Sequence, residues 1–215
     1  MKRSHLFVAL AVLTAAVLAC NTPSLGSTSL YKEDFSSKTD TDWCIDSDTT
    51  SSSGLDSGEY FFKVQRANWF VWCTPDQKFD AVHIEATTKN AGATDDTVFG
   101  LLCHYQNTDS FYYLGITTGG LYTIRLYINK EEQTLAEDSS DAISAGAASY
   151  KLGADCGNGN LTLYVDGQQV ATASDSTYTS GDSGLFAWSG DQVPAEIRYD
   201  DFVVTKLEPA ATATP

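Results

Sequence analysis

Over most of the chain, apolar and polar residues change places every second position. "EYFFKV" (59–64), "FDAVHIEATT" (79–88), "LYTIRLYI" (121–128), "NLTLYV" (160–165) and "EIRYDDFVV" (196–204) each put their apolar side chains on one face of an extended backbone. Such runs recur every 8 to 15 residues, and no segment after residue 20 has the 3.6-residue spacing of a helix. Turn residues separate them. Asp166-Gly167 in "YVDGQQV" suits the two positive-φ positions of a type I′ hairpin, and "GITTGGLYTI" reads as a second hairpin through Gly119-Gly120. At least a dozen strands in one chain are too many for a small closed barrel. The pattern therefore predicts an all-β domain of two stacked antiparallel sheets, with no internal repeat and nothing marking a second domain.

The amino terminus follows another rule. Lys2 and Arg3 precede an uncharged run from Leu6 to Ala19, which suits an export leader over 1–19 and is short for a membrane span. The run ends in "VLAC", which resembles the bacterial lipoprotein box. That resemblance implies acylation of Cys20, a membrane partner reached through the lipid, and a protein facing the periplasm or the cell exterior. Residues 20–29 then read as a lipidated start and polar spacer, 30–206 as the β domain and 207–215 as a loose tail. Lys+Arg 13 against Asp+Glu 28 gives a net charge of −15, so nucleic acid is excluded as a natural partner. Loss of Lys2 and Arg3 with the leader would leave 11 cations against 28 acids, or −17.

Export changes the meaning of the cysteines. With Cys20 set aside, Cys44, Cys73, Cys103 and Cys156 make an even number in a disulfide-permissive compartment. No C-x-x-C pair exists, and only His83 and His104 remain after the leader, so zinc has little support. Four cysteines allow three pairings. Cys103 shares a strand face with Phe99, Leu101 and Tyr105, and Cys156 shares one with Tyr150, Leu152 and Ala154. Two cysteines inside strands can bridge only when those strands lie beside or across from each other, and on that basis Cys103–Cys156 and Cys44–Cys73 are expected.

Three longer strings carry a family resemblance: "VFGLLCHYQNTDSFYYLGITTGGLYTI", "LGADCGNGNLTLYVDGQQVATASDSTYTSGDSGLFAW" and "IRYDDFVV". Their order resembles the concanavalin A-like lectin/glucanase jelly rolls, and within these the group around the domain of unknown function 1080 (keto-disaccharide hydrolase-like) and the laminin G-like folds. The resemblance implies a two-sheet antiparallel jelly-roll sandwich with its first and last strands paired. It also implies that the "GLLC" and "GADC" strands lie close enough to bridge. Function is not implied, because such folds hold lectins, glycanases and protein-binding modules alike. A non-catalytic binding domain with glycan as the leading ligand class is the first expectation. A saccharide hydrolase and a structural or protein-binding surface lipoprotein are the alternatives.

Chemistry-bearing motifs are sparse. Retaining glycanases need two carboxylates about 5 Å apart, and on this fold an E-x-D-x-E strand would supply them; the run is absent, and Glu131-Glu132 reads as a polar turn. "GDSG" (181–184) imitates a serine-protease loop, yet neither histidine has the context of an oriented base, so it too reads as a turn. Asp40, Asp42, Asp46 and Asp48 lack the glycine of a calcium loop. The resemblance implies a possible structural calcium between the first and last strands, with Asp34 and Asp201 as ligands beside Glu33. For sugar binding the candidates are exposed aromatics: Trp69, Trp72, Tyr112 and Trp188 first, then Tyr105 and Tyr113. In "NWFVWC", Trp69 alternates with Val71 and Cys73 while Trp72 alternates with Phe70, so one of those faces belongs to the core. His83 and Glu85 share a face in "HIE", a polar site or a wetted strand.

Overall fold

The computed structural model describes residues 28–37, 42–92 and 94–207. The leader, Cys20, Asp40, most of the spacer and nearly all of the tail lie outside the described residues. Among the described residues there are sixteen strands and no helix. One sheet has nine strands. Across it run β14 (Gln168–Ser174), β13 (Asn160–Val165), β12 (Ser149–Gly157), β7 (Val82–Asn90), β16 (Ala195–Lys206), β4 (Glu59–Val64), β3 (Ser51–Asp56) and β2 (Asp46–Ser47), with β1 (Ser29–Glu33) also on β16. The second sheet has seven: β11 (Glu131–Ser139), β10 (Leu121–Ile128), β9 (Ser110–Ile116), β8 (Val98–Asn107), β15 (Gly181–Trp188) and β5 (Phe70–Cys73), with β6 (Lys78–Phe79) on β15. The result is the two-sheet antiparallel sandwich that the alternation predicts, in the jelly-roll arrangement that the family resemblance implies. Its first and last strands pair, Glu33 opposite Phe202.

The inward side chains form one core between the sheets. Tyr60, Phe62, Ile84, Leu101, Leu114, Leu152, Ile197 and Tyr199 are all within 1% of full burial, and each large apolar group removed from water contributes roughly 1.5–3 kcal/mol. Two disulfides fasten the layers in the expected pairs. Cys103 on β8 bridges to Cys156 on β12, one sheet to the other. Cys44–Cys73 holds the segment before β2 to the end of β5. Asp166 and Gly167 both have positive φ, as the hairpin demands.

Two local expectations are corrected, and one strand is added. Glu131-Glu132 begins β11, and the turn lies one step earlier at Asn129-Lys130, both in the left-handed region. "GDSG" is the start of β15, where Ser183 is fully buried. "SSSGLD" is strand β3, because pairing with β4 from Ser51↔Val64 to Asp56↔Glu59 overrides the weak strand preference of Ser and Gly.

The two sheets differ in what covers their outer faces. On β4, β7 and β13 buried and half-buried positions alternate, so the nine-stranded sheet has a wet outer face. Over Phe99–His104 of β8 and almost all of β9 and β15, successive residues are buried. There a second apolar cluster, built on Leu102, Phe111, Tyr113 and Phe186, covers the face turned away from the core.

Candidate functional site

Register places the components of the outer face in rows. One row crosses five strand pairs: Trp72 opposite Phe186, then Gly100, Gly115, Thr123 and Glu137. Neighbouring rows set Leu102 beside Tyr113 and Arg125, and Phe111 beside Tyr127 and Glu132. Together they shape a groove of about 870 Å³ with Trp188, Val98 and the Asp95-Asp96 loop on its rim. That volume suits a small ligand or a stretch of a chain.

The glycine pair lets an aromatic ring lie directly on the sheet. A Cβ at Gly115 would stand 2.7 Å from the tip of the Phe186 ring and 2.7 Å from the Phe99 carbonyl oxygen, so the ring fills the space that any side chain there would need. Phe186 in turn stacks on Phe70 at 5.1 Å and meets the edge of Tyr113 at 5.0 Å. Phe111 continues the stack to Tyr127 at 5.1 Å. Trp72 stands beside Phe70 and Phe111, at 5.8 and 6.2 Å.

The other side of the groove is polar. Arg125 donates from Nε to Thr123 Oγ1 at 2.8 Å, from Nη1 to Glu132 at 3.0 Å, and from Nη2 to Glu137. Burial, then the charge of Glu137, holds the Glu132 carboxyl above the ordinary glutamate range. At the rim Asp96 accepts from Thr94 Oγ1 and from the backbone N–H of Asp191 and Gln192, which keeps its carboxyl below the usual range and clips two loops together. Asp95 accepts from Thr118 Oγ1 at 3.0 Å.

Of the aromatics singled out from sequence, Trp72, Trp188 and Tyr113 line this groove. Trp69 stands apart from it, with the Arg66 guanidinium 4.2 Å over its ring. Tyr105 sits at the margin of the cluster, 6.4 Å from Trp72. Tyr112 is corrected: it points into the core, fully buried, its hydroxyl donating to Asp175 and accepting from the Tyr178 N–H. Burial, with the nearby carboxylate, pushes that hydroxyl's pKa up to about 12. Sequence reasoning passed over Phe70, Phe111, Phe186, Arg125 and Glu137, and set Glu132 aside as part of a turn. A signal was present in the unbroken apolar runs "FGLLC", "FYYLG" and "GLFAW", which in a sheet mean that both faces are covered.

Asp34 is engaged locally. Asp34 accepts from the Ser36 hydroxyl at 2.6 Å and N–H at 3.1 Å, while Glu33 accepts from Phe35 N–H. Asp201 has φ of 52° at an irregularity of β16. Among the described residues, no three groups of the His, Cys, Asp or Glu type gather as a metal site.

A second polar cluster occupies the outer face of the nine-stranded sheet. His83 Nδ1 lies 2.6 Å from Asp155, which also accepts from Tyr164 Oη at 2.7 Å; His83 Nε2 is 3.5 Å from Glu85, and Lys151 pairs with Glu85 at 2.9 Å. The Asp155 hydrogen bond raises the His83 pKa above its ordinary 6.5, against partial burial and with help from Glu85. A folded pKa above the unfolded one means stability that is fully present below about pH 6.5 and lost as pH rises through the folded value. Asp155→Asn is therefore expected to move the His83 imidazole titration to lower pH and to flatten the pH dependence of stability in that window. Following the ring proton signals by NMR checks it; an unmoved titration would refute the coupling.

No protein-family model and no curated protein matches the sequence. Solved structures do. The chain is similar to a carbohydrate binding module, CBM66, from Bacillus subtilis, at 14% identity and a TM-score of 0.53 over 84% of this chain and 98% of that one. A Bacillus licheniformis beta-glucanase matches at 16% identity and 0.58 over 83% and 98%. The GH43 protein BlXynB of Bacillus licheniformis matches at 15% and 0.62, over 82% of this chain and 39% of its own. At these identities the likeness establishes the jelly-roll fold.

Proposed function

We propose that this chain is an exported lipoprotein, tethered through Cys20, whose groove on the seven-stranded sheet binds glycan without covalent chemistry. The observation that carries the reading is the groove itself: half-buried Trp72 and Trp188 stand over an aromatic floor, opposite carboxylates able to accept from sugar hydroxyls. A carbohydrate binding module and a beta-glucanase sharing the fold support it. Trp72→Ala or Trp188→Ala is expected to weaken retention of the domain on polysaccharide columns about tenfold, equivalent to about 1.4 kcal/mol. Retention unchanged in both variants would remove the groove from the reading. The tether is checked on protein from the membrane fraction, whose intact mass should equal the chain from Cys20 onward plus acyl groups.

One observation favours a saccharide hydrolase instead: Glu132, its carboxyl held up in pKa, shares Arg125 with Glu137 inside the groove. Release of reducing ends from a retained chain, abolished by Glu132→Gln, would move the assignment to an enzyme.

A further inference from the structure

We infer that the groove accepts saccharides that bring hydroxyl or ammonium donors and rejects those carrying acidic groups. This rests on the glycan-binding reading and narrows it. The charged side chains that line the groove are Asp95, Asp96, Glu132 and Glu137 against Arg125 and Lys130. Arg125 is the cation best placed to receive a carboxylate or sulfate, but its single positive charge is already shared between two glutamates. Its Nε is bound to Thr123 and its two terminal nitrogens each hold a glutamate of the neighbouring strand.

Lys130 is 75% exposed at the Asn129-Lys130 turn, 3.9 Å from Asp109, and reaches the groove only at its end. An arriving anion would therefore compete with an existing ion pair or add to a lining in which four carboxylates already outnumber two cations, at a cost that grows as water is excluded. Hydroxyls meet the opposite situation. Each glutamate spends one named oxygen, Oε2, on Arg125, which leaves the other to accept from a ligand. The guanidinium acts as a brace that holds two acceptors in place. The net charge of −15 adds repulsion at longer range, screened beyond about 10 Å at 0.1 M salt.

The test uses the full chain with its lipid removed by mutation of Cys20 to serine, and soluble starch, mixed-linkage β-glucan and xylan, each native and carboxymethylated, with chitosan oligosaccharides as the cationic probe. Affinities are read by calorimetry at 20 mM and 150 mM salt. The expected result is that at least one native polymer binds and its carboxymethyl form binds at least tenfold more weakly, the gap closing as salt rises. Glu132→Gln with Glu137→Gln, and separately Asp95→Asn at the rim, should each narrow the gap; two distant sites guard against a variant that fails to fold. A carboxymethyl form that binds as tightly as its parent overturns this inference and leaves glycan binding standing. If no probe binds in any form, the glycan-binding reading falls, and the selectivity with it.

Discussion

Replacing Cys103 and Cys156 together by alanine is expected to lower the unfolding free energy by about 4 kcal/mol. The bridge closes a sequence separation of 53 residues, and in the chain-entropy account a cross-link of that span removes about 4 kcal/mol worth of freedom from the unfolded chain. Both cysteines are completely buried in the core, so alanine also leaves two small voids between the sheets. A domain of this size commonly has only 5–15 kcal/mol of net stability. The same replacement of Cys44 and Cys73, 29 residues apart, should cost less, about 3.6 kcal/mol. Urea unfolding of the two double variants checks both the size and the order. A Cys103/Cys156 variant within 1 kcal/mol of the parent would mean that packing alone holds the layers.

Phe186→Ala should be nearly as damaging, by 3–5 kcal/mol on the usual scale for emptying a buried aromatic site. Phe186 is fully buried although it faces away from the main core, with Phe70 stacked on it, Tyr113 at its edge and the bare backbone of Gly115 beneath its tip. No neighbour on the glycine side has a side chain that could move in, so the void persists. Polysaccharide retention should fall along with stability, since Phe70 and Tyr113 lose their support. Phe186→Leu, which keeps most of the volume, should restore most of the stability. Denaturant midpoints for the two variants decide: equal, small losses would show that the outer cluster is decoration rather than structure.

Much of the fold can be read from the chain because the inward rule is simple on the nine-stranded sheet. In "NLTLYV" the residues Leu161, Leu163 and Val165 are buried and their neighbours are not. The same parity gave the two strand cysteines facing sides, and they do meet. On β8, β9 and β15 of the seven-stranded sheet parity is silent. Tyr112 and Tyr113 are adjacent and equally apolar, yet one faces the core and the other the groove. Only register separates them, and register there depends on an irregularity of the β8–β9 pairing between Cys103 and Asn107 that no alternation reveals. Gly100 and Gly115 become a feature only once they lie opposite each other. Strand β11 was hidden for another reason. "EEQTLAEDS" has few residues that favour extended structure, and it is a strand because β10 offers it a hydrogen-bonding edge from Leu121↔Ser139 to Ile128↔Glu131.

That strand is also where its sheet stops. A terminal strand offers unpaired amides and carbonyls to any second molecule that drifts alongside, which is how sandwiches begin to polymerise. Here the offer is made by Glu131, Glu132, Glu137 and Asp138, so an approaching copy meets like charge at the seam. The carboxylates that furnish the cleft with acceptors thus double as a guard against fibre growth.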